Sequence, residues 1–221
     1  PRKETLALEN FCLKETPVFE YRNSYWFPVT DEKISAKLKI NGCHGREISP
    51  EYGGGIVYVG GFEHTIAWLS GQCPEGERAW TQPCLCDEKV YQTVIGNIRK
   101  KLEQHPDARL VSITQNDGTT GACQCEKCRK INEPAGSDMG TMLSFVNRIA
   151  DELGPEYPNL KFDTFAYRST RRPPKGIVPR DNVIIRLCSI ECCFRHPIEE
   201  CSETPGHPEL TDKFSDDLLA W

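Results

Sequence analysis

Between residues 87 and 190 the hydrophobic period switches back and forth between that of a helix and that of a strand. From Asp87, a suitable N-cap, the apolar residues Val90, Val94, Ile95, Ile98 and Leu102 recur on one helical face. Residues 108–114 (Ala-Arg-Leu-Val-Ser-Ile-Thr) then read as a buried strand. A second helix follows, capped by Ser137 or Asp138, with Met142, Phe145, Val146, Ile149 and Leu153 on its inner face and Gly154-Pro155 at its end. Residues 160–167 and 182–190 are the next strands. Strands this apolar, alternating with helices, predict a parallel sheet covered by helices.

The earlier chain is less regular. Residues 18–22 alternate as a strand does, and 38–40 lead into the turn signal Asn41-Gly42 as a second short strand. A third strand is expected in either 56–59 or 62–69, which Gly60-Gly61 separates. The glycines at 53–55 and 60–61 suit loops that approach a ligand closely.

A parallel sheet can close into a barrel or stay open and doubly wound. No Gly-rich phosphate fingerprint follows an early strand. The longest polar loops (41–55, 115–136, 168–181 and 191–213) come after strand ends, where a barrel builds its active site. The expected class is therefore α/β of the (β/α)8 TIM-barrel type, with the open sheet as the alternative. A closed barrel needs roughly 250 residues, and this chain has 221. The expectation is a barrel truncated after about six strands over residues 17–221, preceded at 1–16 by a linker or the end of another domain. The missing strands would come from a longer chain.

Lys and Arg number 27 against 32 Asp and Glu, a formal charge of −5, with no basic run. That balance argues against nucleic acid as the main partner. No stretch resembles a membrane span, and the first residues do not resemble a signal peptide. Twelve cysteines are many for a cytosolic enzyme, but the count alone does not decide between pairing and metal binding; the compartment stays open, with a secreted or periplasmic setting favoured over the cytoplasm. Cys123-x-Cys125-x-x-Cys128 has the spacing of metal ligands. Structural zinc completed by Cys192, Cys193 or His196, disulfides to Cys192 or Cys193, and free thiols are the competing readings. Each of the first two would staple the loop after Asp117.

Carboxylates occupy two strand ends. Gln115-Asn116-Asp117 closes the buried strand at 108–114, and Glu191 lies just past 182–190. Such positions carry chemistry in barrels, although Asn-Asp-Gly also favours plain turns and Glu191 has a partner available in Arg195. Arg22, Asn41, His64, Tyr167 and Arg186 lie near other strand ends. Tyr167 and Trp68 suit either stacking on a sugar ring or the core, and Arg186 suits an internal ion pair.

Several segments taken together, Phe19-Glu20-Tyr21-Arg22, Asn41-Gly42, Gly60-Gly61-Phe62-Glu63-His64-Thr65, Ser112-Ile113-Thr114-Gln115-Asn116-Asp117-Gly118 and Cys123-Gln124-Cys125-Glu126-Lys127-Cys128, resemble the domain-of-unknown-function family 4838. Phe145-Val146-Asn147, Thr164-Phe165-Ala166-Tyr167 and the run from Asp181 to Cys188 continue the likeness in the same order. That family, found in bacterial proteins thought to act on carbohydrate, is more distantly similar to beta-hexosaminidases and alpha-glucuronidases.

The resemblance implies a glycoside hydrolase acting on a glycan or polysaccharide, with no cofactor for catalysis. Asp117 would be the general acid, and Asn116 would stand where related enzymes steer the substrate with Asp. Glu191 would be the second carboxylate, and Arg22, Asn41, His64 and Tyr167 would bind substrate. Asn116 departs from the pattern, because an amide does not stabilise positive charge as a carboxylate does. The alternatives are a carbohydrate-binding barrel without catalysis, or an interaction module stapled by zinc or disulfides.

Overall fold

A computed structural model describes residues 12, 14–42, 48–56, 58–118, 120–199 and 213–221, without the side chain of Glu191. Most of the linker expected over 1–16 lies outside the described residues. Helix α1 (Glu32–Lys37) is followed by strand β1 (Tyr58–Val59), α2 (Ile66–Leu69) and α3 (Glu88–Gln104). Then come β2 (Leu110–Ser112), α4 (Glu126–Ala135), α5 (Met139–Leu153), β3 (Lys161–Ala166), β4 (Val183–Leu187) and α6 (Phe214–Ala220). No described helix is long and apolar enough to cross a membrane.

All strand pairs are parallel, and the sheet order β1-β2-β3-β4 follows the sequence. Register pairs Val59 with Val111, Val111 with Phe162, and Phe162 with Val183. Because strand side chains alternate, these four share one face. There they pack with Tyr91, Ile95 and Ile98 of α3 and Leu143, Val146 and Ile149 of α5 in one buried core. Asp87 starts α3 by accepting from the Lys89 amide at 2.9 Å, the cap its sequence predicts.

The opposite face is polar and aromatic. Arg186 Nη2 lies 2.8 Å from Asp163 Oδ2, and the Tyr58 hydroxyl donates to the same oxygen at 3.1 Å. Burial pushes the Asp163 carboxyl up, while Arg186, Ser112 and Tyr58 pull it back. The Arg186 guanidinium also lies 4.5 Å from the centre of the Phe165 ring. A charge pair this enclosed survives because each charge has partners.

The mixed α/β class holds, but four strands form among the described residues where about six were expected. The first two expected strands do not form, and isolated backbone hydrogen bonds stand in their place. Arg22 O accepts from the Asn41 and Gly42 amides at 3.1 and 3.0 Å, and Asn41 O from the Ile56 amide at 2.9 Å. Leu38, expected in a strand, instead caps the end of α1, whose start is held by Asp31 accepting from the Lys33 and Ile34 amides. Of the two candidates for the third strand, 58–59 forms it, while 66–69 is helical. Helix α4 had no expected counterpart.

Candidate functional site

Beyond its last paired residue, β2 continues through Ile113, whose amide donates to Asp163 O at 2.8 Å. The chain then turns at Gln115-Asn116-Asp117, and the three side chains take different environments. Gln115 is buried and accepts from the Thr170 hydroxyl beyond β3. Its carbonyl accepts from His64 Nδ1 at 2.8 Å, which fixes the proton on that ring nitrogen. Asn116 is fully buried. Its amide nitrogen donates to Gln72 Oε1 at 2.9 Å and Thr81 O at 2.8 Å, and Gln82 clasps its backbone on both sides.

Asp117 reaches the surface with its side chain 27% exposed. It accepts from the Gly118 amide at 2.8 Å and the Tyr167 hydroxyl at 3.1 Å, and Arg78 Nη1 lies 3.3 Å away. Burial pushes its carboxyl up. The Gly118 amide, Tyr167, His64 and Arg78 outweigh that and leave it below its ordinary value. The second Arg78 nitrogen is 3.7 Å from Glu63 Oε1, so one guanidinium spans two carboxylates. Arg168 Nε donates to the Tyr167 hydroxyl at 2.8 Å and extends the network.

His64 and Arg168 both have φ in the left-handed region, 52° and 53°. Non-glycine residues are strained there, and such strain clusters at functional sites. The Trp80 ring, 61% exposed, stands beside Gly118. An exposed flat apolar ring one residue along from a carboxylate is a surface on which a ring-shaped ligand can stack.

Asn116, Asp117, His64 and Tyr167 thus come together at the C-terminal ends of β1 to β3. Arg22 and Asn41 do not join them. They line another cavity with Pro106, Leu110 and Lys161, at the opposite strand ends. The Arg22 side chain donates to the carbonyls of Lys39, at 2.5 Å, and Phe19, and Asn41 Oδ1 accepts from the Arg22 amide at 2.8 Å. Trp68 sits behind the sheet against the core, with Lys101 over its ring. Glu191 ends a 3-10 turn just past β4, and its side chain lies outside the described residues. Sequence reasoning missed Arg78, Trp80 and Glu63; for the first two, an aromatic and charged stretch in a long irregular loop was the available signal, and Glu63 stands beside the His64 that was singled out.

The cysteines form a second cluster. Cys84, Cys123, Cys125 and Cys128 place their sulfurs within 4.8 Å of one another, a set able to hold a metal ion. Cys84 takes the fourth place that was expected of Cys192, Cys193 or His196; Cys193 instead faces His196 at 3.3 Å. The missed signal was a second close pair, Cys84-x-Cys86, upstream of the obvious motif. Cys125 is the N-cap of α4, and Cys128 lies in its first turn. The Cys128 amide holds the Cys125 thiol down to about 7, whereas burial pushes Cys84 up to about 11.

These features define an α/β protein with a parallel sheet and a polar, strained site at the C-terminal strand ends, braced by a thiol cluster. The chain belongs to the family described as Domain of unknown function (DUF4838), whose model matches residues 1–221. No curated protein and no solved structure matches it.

Proposed function

We propose that this chain is part of a carbohydrate-active barrel, a glycoside hydrolase with Asp117 as its central catalytic residue. The observation that carries the reading is the convergence of Tyr167 and Arg78 on Asp117, with the exposed Trp80 ring beside the adjacent Gly118. Hydroxyl-rich ligands need fixed donors and acceptors beside a flat apolar surface, and this corner supplies both.

Two features favour a barrel over an open doubly wound sheet. Strand order follows the sequence without the reversal that marks a topological switch point. Backbone hydrogen bonds link Arg22 to Asn41 and Asn41 to Ile56 in the same order, where two further strands of a (β/α)8 barrel would lie.

Glycoside hydrolysis needs a proton donor and a second carboxylate. In the free protein Asp117 is held ionised. It becomes the acid when substrate displaces the half-exposed Arg78 and excludes water, because desolvation raises a carboxyl pKa. Glu191 past β4 is the second carboxylate of this reading. Glu63, which shares Arg78 with Asp117, is its competitor. His64 and Tyr167 orient the sugar. This reading calls for no cofactor in catalysis, and a metal held by all four thiols would leave no position open for substrate.

The test is hydrolysis of a panel of aryl glycosides and glycans by a full-length family member. Asp117→Asn should lower kcat by about 10²- to 10⁴-fold, and Glu191→Gln should cost far more than Glu63→Gln. Undiminished activity in Asp117→Asn would end this assignment. The lowered Asp117 pKa also suits a second reading, a sugar-binding barrel without catalysis. Glycan binding by the wild type with no cleavage of any substrate would select it.

A further inference from the structure

We propose that Cys84, Cys123, Cys125 and Cys128 bind one zinc ion as a closed tetrathiolate, and that this ion clamps the loop carrying Arg78 and Trp80 onto the end of β2. The inference does not depend on the carbohydrate reading.

Spacing decides the chemistry first. Cys84 Sγ lies 3.7 Å from Cys125 Sγ and 3.8 Å from Cys128 Sγ. Disulfide sulfurs sit about 2.05 Å apart. Four sulfurs at about 2.3 Å from a central zinc are separated by about 3.8 Å along each tetrahedral edge. The observed separations match the second case.

The surroundings fit thiolates. Cys125 caps α4 and Cys128 lies in its first turn, so both ligand sulfurs belong to a helix N-terminus. The first turn of α4 adds the positive end of a helix dipole at Cys125 and Cys128. Each thiol releases its proton to solvent as it binds. Zinc is the usual occupant of such closed mononuclear sites.

The clamp follows from what Cys84 is attached to. Between α2 and α3 the chain runs from Ser70 to Asp87 with no helix or strand. Unstructured loops of that length are uncommon in compact domains and are usually functional. This one carries Gln72, Thr81 and Gln82, which grip Asn116, and Arg78, which reaches Asp117. Cys123, Cys125 and Cys128 lie in the segment that follows Asp117. A metal joining the two segments fixes both walls of the site at once.

The first test is metal content of the purified, dialysed protein. About one zinc per chain is expected, with tetrahedral thiolate bands on cobalt substitution. Cys84→Ser should lose the metal, Cys84→His should retain it by supplying another ligand, and Cys86→Ser should retain it fully. Trypsin cleavage after Arg78 should quicken about tenfold once a strong chelator removes the ion. The wild-type measurement stands even if a variant fails to fold. Absence of zinc, iron in its place, disulfides among these cysteines, full retention in Cys84→Ser, or unchanged cleavage at Arg78 would each overturn the proposal.

Discussion

The Tyr167 hydroxyl, just past β3, donates to Oδ1 of Asp117, just past β2, across 3.1 Å. This bond joins two strand ends and favours the charged form of the carboxylate, and burial and the neighbouring Asp117 charge push the Tyr167 pKa up. Burial alone would raise Asp117, but its donors and Arg78 leave it lowered. A lowered folded pKa gives stability that is present above the unfolded value, about 3.9, and is lost as pH falls through the folded value. Tyr167→Phe removes one donor, so the Asp117 titration should move upward towards the unfolded value and the stability lost on acidification should shrink. Carboxyl NMR titration and urea unfolding against pH measure the two effects. An unmoved Asp117 midpoint would show that the bond has no electrostatic weight.

Trp80 is exposed beside Gly118 and is not part of the buried core. Under the proposed carbohydrate function, Trp80→Ala should weaken glycan binding about tenfold while leaving unfolding within about 0.5 kcal/mol of wild type. Calorimetric titration with the preferred glycan and chemical denaturation separate the effects. Unchanged affinity would remove Trp80 from the site.

The surroundings of Asn116 suit an amide and not a carboxylate. Its nitrogen donates to two oxygens, Gln72 Oε1 and Thr81 O, inside a fully buried pocket. A carboxylate there would face two acceptors with no proton to give, and a protonated acid could serve only one. Asn116→Asp should destabilise by about 1–3 kcal/mol for the unsatisfied group, and more at neutral pH than at acid pH, because a buried carboxyl resists ionisation. Denaturation at two pH values reads this directly. A neutral or stabilising result would mean that the loop from 70 to 87 rearranges to supply a donor.

The parts legible in the sequence were those with a strong local period. Helix α3 combined a 3.6-residue apolar stripe with the Asp87 cap, and β2 to β4 were short apolar runs between turn signals. Helix α4 was hidden because Glu126–Ala135 buries only Cys128 and Ala135 fully, so it shows no apolar stripe. Helix α1 was obscured by its length, six residues with Ser35 as the one buried residue. At the site, Asp117, His64 and Tyr167 were legible because each sits at the end of a recognisable element. Arg78, Trp80 and Cys84 were not. They come from an irregular loop whose position depends on long-range contacts, and neither period nor spacing records those.

Arg171 and Asp217 form an ion pair at 2.5 Å with side chains only 2% and 5% exposed. It ties the turn after β3 to α6, and Trp221 Nε1 adds a bond to Arg171 O at 2.8 Å. Two charges held so far from water gain little over a well-packed apolar pair, but removing one of them costs more than replacing both. Asp217→Ala should thus destabilise the protein by about 3–5 kcal/mol, detected as a fall in the urea midpoint. Arg171→Met with Asp217→Leu should cost much less than either single change, because no charge is left unpaired. The loss should also reach the site, since Thr170, next to Arg171, donates to Gln115 beside Asp117. Asp217→Ala should therefore loosen the strand end at Gln115, visible as faster amide exchange there. If the single variant unfolds at the wild-type midpoint, α6 is not anchored through this pair, and the turn at 168–171 is held by its other contacts alone.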